Sequence, residues 1–154
     1  MASLSDYLES GLLHHVFRAE SFPKPSSIAV ALTTGVPMDH HTGATLPEVP
    51  LTINGSGTGY SRINLGNPVD SGNQYWSYSL ADHNAGSGII KNALVLSFSP
   101  ALCNWGGLSG VALLDSPNHG SGNLLMHATI NNPRIVYLGD SIQFDLNNFQ
   151  IKFE

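Results

Sequence analysis

The period of the apolar residues changes once along the chain. Leu4, Leu8, Leu12 and Val16 recur every four residues and are joined by Tyr7 and Phe17. That spacing lays one apolar stripe along a helix and predicts a helix over 4–18. Ser3 stands at the N-cap position, with Asp6 three residues on as a weak capping box. Asp6 and Glu9 suit the positive end of the helix dipole, and His14, His15 and Arg18 the negative end. Gly11 costs such a helix about 1 kcal/mol against Ala and gives room for another backbone to come close. Phe22-Pro23-Lys24-Pro25 then ends the helix and extends the chain.

Beyond that point the pattern is one of short strands separated by Gly, Pro and Asn. Residues 27–33 alternate apolar and small side chains, as a half-buried strand does. Further strands are predicted over 60–65, 89–98, 108–114, 123–130, 135–137, 141–146 and 149–153, the last with a clean period of two. Asp115 to Gly122, Gly139-Asp140 and Asn147-Asn148 supply turns. Seven or eight strands at this spacing predict a mainly β fold, a β-sandwich or jelly-roll-like domain with one N-terminal amphipathic helix. The expected organisation is a single domain over 1–154, with the helix at 4–18, packed across the sandwich, and the β domain at 27–154. Two stretches stay as loops, 35–59 with Pro37, Pro47 and Pro50, and 66–88 with Tyr75, Trp76 and Tyr78. Loops this long inside a domain are usually functional or mobile.

Composition narrows the partners. Charged residues make up only 11% of the chain and hydrophobic ones 42%, against about a quarter charged in ordinary soluble domains. So little charge leaves little to oppose packing against other chains. The net charge is −5, and the six basic residues Arg18, Lys24, Arg62, Lys91, Arg134 and Lys152 are scattered. Binding to nucleic acid through counterion release needs clustered cations, so direct nucleic-acid binding is not expected. The lone Cys103 lies among Ala101, Leu102 and Trp105 and reads as a small hydrophobe rather than a reactive thiol. Asp6 and Glu9 stand where a secretory signal would be apolar, and no apolar run approaches the roughly 18 residues of a membrane span.

No constellation of residues does chemistry. His14 and His15 are adjacent on a helix and point about 100° apart, so they do not share one ion. Asp39-His40-His41 lacks Cys, His or Asp partners at a metal-binding spacing. Gly107-Leu108-Ser109-Gly110 does not have the spacing of a nucleophile elbow. Gly55, Gly57 and Gly59 precede a strand, not the helix N-terminus that a phosphate loop requires. The chain is therefore expected to have no catalytic residue, no metal and no cofactor. Tyr75, Trp76 and Tyr78 are the strongest interaction signal: aromatics in a Gly/Asn/Ser loop either anchor a protein or sugar partner or fold back as a lid over one end of the sandwich. His40 and His41 of the first loop join them as candidate partner-binding residues.

Taken together, several short motifs resemble a family of small virion structural proteins from tailed bacteriophages, including tail-fibre-like proteins and capsid decoration proteins. They are the opening Leu4-Ser5-Asp6-Tyr7-Leu8-Glu9 continuing to Leu12-Leu13 and His15-Val16-Phe17, the strand after it, Gly59-Tyr60 with Arg62, the Trp76 region, and Lys91-Asn92 leading to Phe98. Trp105-Gly106, the Asp115 turn, Gly122-Asn123-Leu124-Leu125 and Gly139-Asp140 with Ile142 and Phe144 complete the set. The long Pro-rich loop and Asn147-Asn148 depart from the pattern of that family. The resemblance implies a protein made in the bacterial host cytoplasm and built into the virion in many copies, without catalytic residues. Its leading implication is a capsid cement (decoration) protein on the outer surface of the major capsid protein, whose partners are that protein, copies of itself, or both. A tail fibre or baseplate component is the second reading, and a carbohydrate-binding module using Tyr75, Trp76 and Tyr78 is the third.

Overall fold

The computed structural model of the chain describes residues 2–68, 75–77 and 89–152. Within them lie one helix, α1 (Asp6–Phe17), and the strands β1 (Ala2–Leu4), β2 (Ala29–Thr33), β3 (Thr52–Ile53), β4 (Ser56–Gly57), β5 (Ile63–Asn64), β6 (Trp76–Ser77), β7 (Ile89–Asn92), β8 (Leu96–Ser97), β9 (Gly106–Leu114), β10 (Leu124–Val136), β11 (Gln143–Phe144) and β12 (Gln150–Lys152). The expected class, mainly β with one N-terminal helix, is what forms. A five-stranded antiparallel sheet in the order β1-β10-β9-β2-β5 is the frame. Three small sheets, β12-β7-β6, β11-β8 and β3-β4, complete it.

The core lies mostly on one face of the frame. Val30 and Leu32 of β2 and Leu113 of β9 pack there, in one cluster with Leu108, Tyr60, Phe98, Trp105, Leu96, Ile142 and Phe149. Tyr60 stacks on Phe98 at 6.0 Å and meets the edge of Trp105 at 5.6 Å. The other face is covered as well. Ala31, Ala112, Leu114 and Leu124 form a second cluster with Leu46, which comes from the long loop. This is why β2 is buried along its whole length instead of on alternate positions. Pro37 and Leu46 of the long loop come down on this face, while residues 47–49 run along the edge of β2, the Thr34 N–H donating to the Pro47 carbonyl and the Val49 N–H to the Leu32 carbonyl. Pro37 sits so close over Gly110 that a Cβ there would come within 2.7 Å of its ring.

Four sequence expectations about boundaries are corrected. The helix begins at Asp6, not at residue 4, and its N-cap is Ser5, not Ser3. Residues 2–4 pair instead with β10, Leu4 opposite Met126. The chain crosses from strand to helix at Ser5, which is fully buried; its hydroxyl donates to the Leu124 carbonyl and accepts from the Leu8 N–H. The strand expected over 89–98 divides into β7 and β8 because the fully buried Asn92 side chain donates to the Leu94 and Asp145 carbonyls and accepts from the Phe149 N–H. Those bonds turn the chain after Asn92. The strands expected at 123–130 and 135–137 are one, β10, whose pairing with β9 shifts register between Thr129 and Arg134. Finally, the loop over 35–59 contains the β3–β4 hairpin, joined by Asn54 and Gly55 at φ 50° and 80°, the turn that an Asn-Gly pair favours.

The helix does not pack across the β domain as expected. None of its residues is buried. Leu8 and the preceding Leu4 reach the core, half-buried. Its other support is the segment that follows it: the Phe22 ring lies against Tyr7, centroids 5.6 Å apart, and fills the space where a Cβ on Gly11 would stand. His14 lies 3.1 Å from Glu20, and the Phe22 N–H donates to His15 Nδ1.

Candidate interaction surface

The last two turns of α1 carry exposed apolar side chains. Leu12 is 36% exposed, Leu13 57%, Val16 66% and Phe17 78%. Exposure grows toward the C-terminus, so the helix leaves the body as it runs. Single exposed apolar residues are ordinary, but here four lie together on the last two turns of one helix. A helix of 12 residues is marginal in water without packing, so cover for this stripe would also stabilise the element.

The turn at 38–41 lies beside the start of this helix. The Asp39 carbonyl accepts from the Asp6 N–H, and the Asp39 carboxylate lies 2.7 Å from Nε2 of the buried His127 on β10. His40 is exposed and packs edge-on against His41, which is half-buried and accepts from the Met38 N–H. Burial, and then the nearby His40 and His127, hold the His41 imidazole below the usual histidine range. Met38 and Val36 are half exposed on the same stretch. The structure thus places His40 and His41 near the helix entry. Among the described residues no group of three or more His, Cys, Asp or Glu side chains could hold a metal ion.

The aromatic residues of the second loop are placed differently. Tyr75 and Trp76 are half-buried and pack on the core, Trp76 at 6.3 Å from Phe149. The Tyr75 carbonyl accepts from the Ala93 N–H. Trp76 lies on β6, paired opposite Asn92. These contacts are those of a lid over the core. Tyr78 lies outside the described residues.

One polar constellation was not singled out in the sequence. Glu48 and Arg62 form a buried, bidentate ion pair, Nε to Oε1 at 2.9 Å and Nη2 to Oε2 at 2.7 Å. The second terminal nitrogen of Arg62 donates to the Ser116 and Ser121 carbonyls at 2.8 and 2.9 Å. Tyr60 Oη donates to Glu48 and accepts from the Leu32 N–H. Burial first, and then the Glu48 charge, push the Tyr60 phenol well above its ordinary range. His119 Nε2 lies 3.0 Å from the Val49 carbonyl. Glu48, Arg62 and Tyr60 thus spend these hydrogen bonds within the protein and tie the long loop, β2 and the 115–123 turn together. The ion pair joins residues 14 apart in sequence, a separation without a motif to mark it.

Cys103 is free and half-buried against the core. No helix among the described residues is long and apolar enough to cross a membrane.

Comparison with known proteins gives the family. No curated protein matches the chain. A family model described as Gp80, podophage GP4 fiber I protein gp80, matches residues 3–152. That span takes in the helix, the frame and both loops, so the chain belongs to this family of phage virion structural proteins.

Proposed function

We propose that the protein is a structural part of the phage tail, a component of the fibre or its attachment at the baseplate, and that it works by making contacts, not by catalysis. The observation that carries this reading is the family match across residues 3–152, whose description names a fiber protein. The family gives no support to the capsid cement reading that led the sequence expectations, and the tail alternative fits its description better. The exposed stripe Leu12, Leu13, Val16 and Phe17 is the proposed contact with a neighbouring virion chain, another copy or a different tail protein. Repetition of one modest apolar contact over several copies gives firm attachment through avidity.

Gold-labelled antibody against this chain, viewed on intact particles by negative stain, tests the location. Label on the tail is expected. Label spread over the head, together with a lowered temperature of DNA release from heads that lack the protein, would restore the cement reading. A glycan array with Trp76→Ala as control tests the carbohydrate reading, which needs binding that the substitution removes.

A further inference from the structure

We propose that Asn54 is a site of spontaneous deamidation in the folded protein. The inference does not depend on where in the virion the protein sits. Asn54-Gly55 is the single Asn-Gly pair in the sequence, and it forms the whole two-residue loop between β3 and β4. Both residues are exposed, and no heavy atom lies within 4 Å of the position a Cβ on Gly55 would take. The hairpin tip therefore stands in open space on the Cβ side of Gly55. Among the described residues the Asn54 amide makes no hydrogen bond; Asn118, Asn131, Asn132, Asn147 and Asn148 share that freedom, but none of them is followed by glycine.

The chemistry needs only water and base. The Gly55 backbone nitrogen, having given its proton to hydroxide, attacks Cγ of Asn54. The N–Cγ bond forms, the Cγ–Nδ2 bond breaks, and ammonia leaves with a proton taken from water. The five-membered succinimide that results is opened by water at either carbonyl, giving aspartate or β-linked isoaspartate. Nothing is oxidised or reduced, and each event adds one negative charge to the hairpin tip.

The left-handed backbone at Asn54 and Gly55, φ 50° and 80°, belongs to the closed turn, which must open for the attack. The hairpin can open cheaply. It has only two cross-strand pairs, Thr52 with Gly57 and Ile53 with Ser56, and an isolated two-stranded ribbon is marginal. Its base is held independently. Buried Thr58 donates its N–H to the Leu51 carbonyl at 3.0 Å and its hydroxyl to the Pro50 carbonyl at 2.7 Å. The tip therefore opens as a local event with the fold intact. An isoaspartate product adds a backbone atom to the loop and removes the match between loop length and strand register.

The test is peptide mass mapping of the folded full chain during incubation in buffers of rising mild alkalinity. The Asn54 peptide is expected to gain the mass of an amide-to-acid conversion before any other asparagine does, to split into two chromatographic forms, and to convert at a rate proportional to hydroxide. Asn54→Gln, whose longer side chain closes a six-membered ring far more slowly, is expected to abolish the change without altering the circular dichroism spectrum. The proposal is overturned if Asn54 stays intact in the folded chain while the urea-unfolded chain converts there, or if another asparagine converts first.

Discussion

At the scale of single residues, the stability of the long loop rests on Glu48, Arg62 and Tyr60. A buried charge without its partner is costly, so Arg62→Met is expected to destabilise the protein by about 3–5 kcal/mol. The double variant Glu48→Leu/Arg62→Met should recover part of that loss, because no unpaired charge remains. Urea denaturation of the three proteins measures both. The raised Tyr60 phenol has its own signature. Folding favours its protonated form, so its contribution is fully present below the unfolded tyrosine value of about pH 10 and is lost as pH rises above it, where only the unfolded chain gives up the proton. The denaturation midpoint of the wild type should therefore fall more steeply above about pH 10 than that of Tyr60→Phe. Parallel curves would mean that Tyr60 is not held protonated by the fold.

At the scale of elements, α1 divides into an anchored half and a free half. Leu8→Ala is expected to cost about 2 kcal/mol, since part of its side chain packs on the core. Val16→Ser and Phe17→Ser should change stability by no more than about 0.5 kcal/mol but reduce incorporation into particles, the readout that a purely solvated face would not move. Both the helix and the mainly β class were legible in the sequence, because periods of four and of two are properties of consecutive residues. What the period did not reveal is which side of the helix is covered. Leu8 and Val16 are equivalent in the pattern, yet one touches the core and the other is 66% exposed. The N-cap was misplaced because Ser5 draws its second bond from Leu124, 119 residues away. Asn92 ended a strand for a similar reason, with partners at Asp145 and Phe149. The aromatic loop was legible as a cluster, but whether Trp76 faces a partner or the core depends on Phe149, which lies far along the chain.

At the scale of the whole molecule, low charge, a five-stranded β frame and an exposed apolar helix end fit a part that is built into a larger assembly. The buried polar groups are spent on fixing loops, and the chain belongs to a phage fiber protein family over nearly its full length. The proposed role is a contact surface in the phage tail. Its most direct test is to separate disassembled virions into heads and tails and to quantify this chain in each by mass spectrometry. The chain is expected to travel with the tails at a fixed stoichiometry, and Val16→Ser/Phe17→Ser to lower that amount. Recovery with the heads, or absence from purified particles, would contradict it.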